Sequence, residues 1–140
     1  MAKLRHCGIL VYNLDLSTKL YCDVFGFTVL KKGVVSGDFS EQLFNLKNFH
    51  LTYVKLKSKG CNTKLELWKI KDFAPNWSNS YSHIALTVKD LDKTYEALRE
   101  RKLTLFSLPM QAHDSEVRLF FARDYDQNIL EIVEDKPMKP

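Results

Sequence analysis

Two histidines and two glutamates occupy matching places in this chain. His6 opens the run His6-Cys7-Gly8-Ile9-Leu10-Val11, which leads into Leu14-Asp15, and His83 opens His83-Ile84-Ala85-Leu86-Thr87-Val88, which leads into Leu91-Asp92. With the histidines aligned, Val, Leu and Asp recur at the same offsets, which marks an internal repeat. Each copy ends in an aliphatic run that carries one carboxylate, Glu66 within Lys64–Ile70 and Glu131 within Ile129–Glu134. Imidazole nitrogen and carboxylate oxygen suit a hard-to-borderline divalent cation. The four residues together therefore predict one metal site able to act on a small substrate. Singly, each has a commoner reading, a solvent-facing Glu or a structural His. The repetition carries the weight.

The elements that must position these residues follow the same repeat. Each histidine starts a strand-like run, and each run feeds a helix. The first helix is expected over about Leu16 to Phe25, with Gly26 at its C-terminal end. The second is expected over Leu91 to Arg101, with Leu91, Tyr95 and Leu98 on one face and Asp90 or Asp92 as cap. Strands are expected at Thr28–Lys32, His50–Lys57 and Lys64–Ile70, then at Thr104–Leu108, Val117–Ala122 and Ile129–Glu134. Turn residues separate them at Ser58-Lys59-Gly60 and at 124–128. Each half thus reads βαβββ, with module 1 at about 3–71, a linker at about 72–80 around Pro75, and module 2 at about 81–135, in a single domain over 1–140. His6 and Glu66 stand 60 positions apart against 48 for His83 and Glu131, and the 12 extra residues are assigned to the stretch from Gly33 to Phe44.

Strand parity then assigns faces. Leu65 and Leu67 form an apolar face with Glu66 opposite; Leu130 and Ile132 do the same with Glu131 opposite. Ile84, Leu86 and Val88 oppose His83, and Cys7, Ile9 and Val11 oppose His6. The apolar faces are expected on the helices. The faces holding the four ionisable residues line either solvent or a cavity, which parity does not separate. A carboxylate buried there without a partner would be costly, and a metal removes that cost.

Composition excludes several classes. The 140 residues are 45% hydrophobic, enough for a core and for one domain. No apolar run approaches the 18 or so residues of a spanning helix, and no apolar segment follows the first charges as in a secretory signal. The three cysteines, Cys7, Cys22 and Cys61, are odd in number and unclustered, as in a reduced cytoplasmic protein. The net charge of +4 is scattered over Lys31-Lys32, Lys55, Lys57, Lys59, Lys136 and Lys139 and reads as a solvated surface. A nucleic-acid binder would gather such charges beside stacking aromatics, so neither nucleic acid nor membrane is expected as a partner.

The segments HCGILVYNLDLSTKLYCDVFGF, KLELWKI, SHIALTVKDLDKTYEAL and FFARDYDQNILEIVE resemble the vicinal oxygen chelate superfamily, which includes glyoxalase I, methylmalonyl-CoA epimerase, extradiol dioxygenases and the fosfomycin and bleomycin resistance proteins. The resemblance runs from about Leu4 to Asp135. It implies an α+β fold of paired βαβββ modules forming a curled mixed sheet around a metal-binding cavity. It places His6, Glu66, His83 and Glu131 on the four ligand positions of one divalent ion, with nickel, cobalt or zinc in that order. Dioxygenases and fosfomycin-modifying members lack the Glu66 equivalent, the epimerases usually have Gln there, and bleomycin-binding members have generally lost the ligands. The full set is closest to glyoxalase I-like members.

That resemblance implies a metal-dependent lyase or isomerase of lactoylglutathione lyase type. It would act through a metal-bound enediolate on a small 2-oxoaldehyde–thiol adduct, with Glu131 as base and Glu66 assisting. The alternatives are another enzyme of the superfamily, epimerase-like or dioxygenase, and a metal-free antibiotic-binding protein. Leu10 stands near where short bacterial glyoxalase I carries an Arg for glutathione, so the thiol stays open. Phe39, Leu43 and Phe44 are candidates for an apolar lid over the substrate or for a satellite core, and Trp68 for the pocket wall. His113, Asp114 and His50 are weaker candidates. Members of the superfamily are commonly dimers, and a homodimer is expected.

Overall fold

The computed structural model describes residues 6–45, 47–72, 83–111 and 117–134, and of Ser40 and Phe44 the backbone alone. The chain divides into two compact units, Met1–Asn76 and Trp77–Pro140. Most of the expected linker, from residue 73 on, lies outside the described residues.

In the first unit β1 (His6–Leu10) leads into α1 (Leu14–Asp23). The helix starts two residues before the expected Leu16 because Asn13 caps it, its side-chain oxygen accepting the Leu16 N–H at 2.9 Å. Gly26, at φ +72°, turns the chain out of the helix, and its N–H donates to the Cys22 carbonyl. Then come β2 (Thr28–Ser36), α2 (Asp38–Phe44), β3 (His50–Lys57) and β4 (Lys64–Ile70). The long β2 and the short α2 take up the additional length of this half. The sheet order is β1-β4-β3-β2, with β1 parallel to β4 and the other pairs antiparallel.

The second unit repeats this plan. β5 (Ile84–Val88) is followed by α3 (Leu91–Glu100), capped by Asp90, whose carboxylate accepts the Lys93 N–H at 2.9 Å. β6 (Met110–Gln111), β7 (Arg118–Arg123) and β8 (Ile129–Glu134) complete the sheet in the order β5-β8-β7-β6, with β5 parallel to β8. The expected strand at Thr104–Leu108 is not continuous. Leu105 bridges Ala122, and the Phe106 N–H donates to the Phe121 carbonyl at 2.9 Å, but the ladder resumes only at Met110. Pro109 has no N–H to donate and restricts Leu108 before it, so the edge is interrupted there.

The two cores follow the period-two pattern. Leu65 and Leu67 are buried beside their cross-strand partners Leu56 and Val54, and α1 packs Leu20 and Tyr21 into this unit's core. In the second unit Leu130, Ile132, Phe120 and Ala122 are buried with Leu91 and Leu98 of α3. Burying each such side chain stabilises by about 1.5–3 kcal/mol. Cys7 departs from the expected core face: it is exposed, on the strand that ends the sheet order β1-β4-β3-β2 among the described residues. Asp124 organises the β7–β8 turn, its Oδ1 accepting the N–H groups of Asp126 and Asn128 at 2.9 Å each.

Arg118 of β7 ties the sheet to α3 by a two-point bond to Asp92, at 2.8 and 3.0 Å. Hydrogen bonding from Arg118 holds the Asp92 carboxyl below its ordinary value. A carboxyl depressed in the folded state stabilises above its unfolded pKa, about 3.9, and loses that contribution as pH falls through the folded value. Asp92→Asn should therefore lower the urea midpoint slightly at pH 6, with the difference from the parent vanishing toward pH 2.5. The pair is exposed, so the effect is small, and an equal difference at both pH values would refute the ionic origin.

Candidate metal centre

In the first unit the parallel pairing of β1 with β4 sets Gly8 opposite Glu66, and His6 lies two residues upstream on the same face. His6 Nε2 comes to 3.4 Å from Glu66 Oε2. The antiparallel pairing of β3 with β4 puts Lys55 directly opposite Glu66, and Lys55 Nζ lies 3.1 Å from Oε1. The Trp68 indole N–H donates to Oε2 at 2.9 Å. Glu66 is only 6% exposed. Burial pulls its carboxyl upward, but the hydrogen bonds from Trp68 and Lys55 and the nearby His6 outweigh burial, and the carboxyl sits below the ordinary carboxylate value.

The second unit makes the same pair by the same register. Ala85 lies opposite Glu131, His83 lies two residues before it, and His83 Nε2 comes to 2.9 Å from Glu131 Oε2. The residue facing Glu131 from β7 is Phe121, whose ring meets His83 edge-on at 5.6 Å.

Each unit thus presents one imidazole nitrogen beside one carboxylate oxygen. Two donors roughly 2.0–2.2 Å from a common ion, at a right angle, lie about 3 Å apart. The separations of 3.4 and 2.9 Å fit that spacing. Among the described residues neither unit by itself gathers three His, Cys, Asp or Glu side chains into a cluster.

The other candidates fare unevenly. Trp68 spends its N–H on Glu66. Phe39 and Leu43 of α2 are 73% and 62% exposed, so they form no satellite core; the Phe44 side chain, His113 and Asp114 lie outside the described residues. His50 opens β3 and its carbonyl accepts the Lys71 N–H. It lines, with Asn13, Asp15, Thr52, Lys69 and Lys71 among others, an open cleft of ≈ 560 Å³. Thr52 and Lys69 have the parity of Val54 and Leu67, so this cleft belongs to the sheet face opposite Glu66. Lys55 is the residue that sequence reasoning passed over as surface charge. Its signal was its parity, since it alternates with the buried Val54 and Leu56 and so shares the Glu66 face.

Paired βαβββ units, each with a histidine on the first strand side and a glutamate on the last, define the vicinal oxygen chelate architecture. The chain belongs to the glyoxalase/bleomycin resistance protein/dioxygenase superfamily, whose family model matches residues 3–132. It is similar to a probable lactoylglutathione lyase of Synechocystis sp., at 27% identity over 97% of this chain and 98% of that protein. Among solved structures it resembles a glyoxalase family protein from Bacillus cereus (17% identity, TM-score 0.84, 98% and 96% of the two chains). It also resembles the trypanothione-dependent glyoxalase I of Leishmania major (23%, TM-score 0.69, 96% and 87%) and a fosfomycin resistance protein from Listeria monocytogenes (13%, TM-score 0.69, 97% and 95%). No helix among the described residues is long and apolar enough to cross a membrane.

Proposed function

We propose that this protein is a metal-dependent lyase or isomerase of glyoxalase I type, acting on the adduct of a small 2-oxoaldehyde with a thiol. The observation that carries the reading is the repeated pair, His6 beside Glu66 and His83 beside Glu131, made by the same strand register in both units. The likeness to the probable lactoylglutathione lyase supports it. His6, Glu66, His83 and Glu131 would hold one divalent ion, with nickel, cobalt and zinc the first to try. Such an ion supplies Lewis-acid polarisation of adjacent substrate oxygens. The chain's own residues do the rest. Glu131 takes the proton that leaves the substrate carbon and returns it to the neighbouring carbon, with Glu66 assisting as the carboxylate that stays in its ligand position. Leu10 in place of a glutathione-binding Arg leaves the thiol open to bacillithiol or a related compound.

The protein is expected to work in the cytoplasm as a homodimer. Val29, Leu30 and Val34 leave apolar surface on the edge strand β2, which a second copy can cover.

The test combines metal content, stability and turnover. Full-length protein purified without added metal is expected to carry a near-stoichiometric divalent ion and to lose activity on chelation. Nickel, cobalt or zinc should restore activity and raise the thermal midpoint, since a ligand bound only by the folded state stabilises it. Conversion of methylglyoxal hemithioacetals of glutathione and bacillithiol supplies the assay. Absence of turnover on every adduct rejects the lyase reading while leaving metal binding to stand on its own measurement. A strict monomer in sedimentation at tens of micromolar rejects the dimer.

A further inference from the structure

The repeat places two equivalent carboxylates in unlike company. Glu66 is held on both oxygens, with Lys55 Nζ 3.1 Å from Oε1 and the Trp68 indole N–H donating to Oε2 at 2.9 Å. In the second unit the position facing Glu131 across the antiparallel pair belongs to Phe121, where the first unit has Lys55. The residue two beyond Glu131 is Val133, where the first unit has Trp68. Neither Phe121 nor Val133 has a side-chain group that can donate to a carboxylate. Among the described residues the His83 imidazole is the one side chain in polar contact with the Glu131 carboxylate, and the Glu131 side chain keeps 24% of its surface exposed against 8% for that of Glu66.

We propose that Lys55 and Trp68 are positioning residues that clamp Glu66 as a fixed metal ligand, so that of the two repeat-related carboxylates only Glu131 is free to leave the ion and shuttle the proton. This rests on the functional reading above. The physical basis is the count and type of bonds that movement would break. Displacing Glu66 would break a charge-assisted bond from an ammonium and an indole hydrogen bond in a buried setting. Among the described residues Glu131 has no ammonium or indole partner to give up, only the His83 contact at 2.9 Å, because aliphatic and aromatic side chains stand in the places of Lys55 and Trp68. The duplicated fold supplies both carboxylates by symmetry, and the substitutions around them break that symmetry into a fixed ligand and a mobile one.

The experiment measures nickel affinity by competition with a chromogenic chelator on the full chain, for the parent, Lys55→Met, Lys55→Arg and Trp68→Phe. Thermal unfolding of the metal-free forms is followed in parallel. Groups that orient a ligand typically contribute 10–100-fold in metal affinity. Lys55→Met and Trp68→Phe are each expected to lose roughly that factor, and Lys55→Arg to recover most of it, because the guanidinium also donates to Oε1. A merely structural role for Lys55 would lower the metal-free unfolding midpoint without this order of affinities. Should Lys55→Met fail to fold, Trp68→Phe and Lys55→Arg carry the comparison.

A second arm addresses mobility. Lys55→Met combined with Glu131→Gln, assayed at saturating nickel, is expected to turn over faster than Glu131→Gln alone, because the unclamped Glu66 can then take part of the proton transfer. Parent-like nickel affinity in both Lys55→Met and Trp68→Phe overturns the clamp while the functional reading survives. A double variant no faster than Glu131→Gln alone overturns the assignment of Glu66 as the immobilised base. A parent protein that binds no divalent ion overturns both this inference and the functional reading.

Discussion

Glu131→Gln is expected to lose about 10²–10⁴-fold in turnover while still binding metal, the range typical of removing a general base. Glutamine keeps the length and shape of the side chain, and its amide oxygen can still coordinate an ion. It cannot accept a proton. The position tolerates the exchange structurally, since Glu131 Oε2 meets His83 at 2.9 Å and a hydrogen-bonding amide can occupy the same place. The matched control is His83→Ala, which removes a nitrogen donor and is expected to weaken metal binding itself. Both variants need saturating metal, or loss of the ion mimics loss of the base. Near-parent kcat in metal-loaded Glu131→Gln would move the base elsewhere, with Glu66 the next residue to examine.

Phe120→Ala is expected to cost about 3–5 kcal/mol of stability, the usual cost of truncating a buried aromatic. Phe120 is 1% exposed and packs edge-on against Tyr95 of α3, with ring centroids 5.3 Å apart. It joins the sheet to its helix, and its neighbours Leu130 and Ile132 on the next strand are fully buried. Those two residues flank Glu131, so the core face of β8 holds the register that sets Glu131 beside His83. Urea unfolding at fixed metal checks the magnitude. Apparent loss of metal binding should follow the loss of fold, because both are read from the same strand. A change under about 1 kcal/mol would mean that this core repacks around the gap.

Much of this architecture is legible in the residues alone because it depends on local periodicity. Alternation of Leu65 and Leu67 about Glu66, and of Leu130 and Ile132 about Glu131, assigns the sheet faces, and the buried leucines and isoleucine match it. The aligned runs after His6 and His83 show the duplication, and both halves follow the βαβββ plan, the first with the short α2 inserted between β2 and β3. Gly26 and Asp90 mark helix ends by the conformations and bonds that only a few residue types supply. The signals that went astray are also local. Asn13 caps α1 ahead of the repeated Leu14-Asp15 pair, so the helix begins before Leu16, and Pro109 outweighs the alternation of Thr104–Leu108.

What the sequence by itself determined is therefore which residues alternate, repeat and cap. What only the tertiary structure decided is who faces whom. Lys55 meets Glu66 because β3 and β4 pair in one register, and a slip of one residue would send that lysine to the other face. Phe121 faces Glu131 for the same reason. His6 reaches Glu66 through a parallel pairing of β1 with β4 across most of the first unit's length. Such pairings are selected by the burial of whole sheet faces against the helices, a property of many residues together, and no short stretch of chain encodes it.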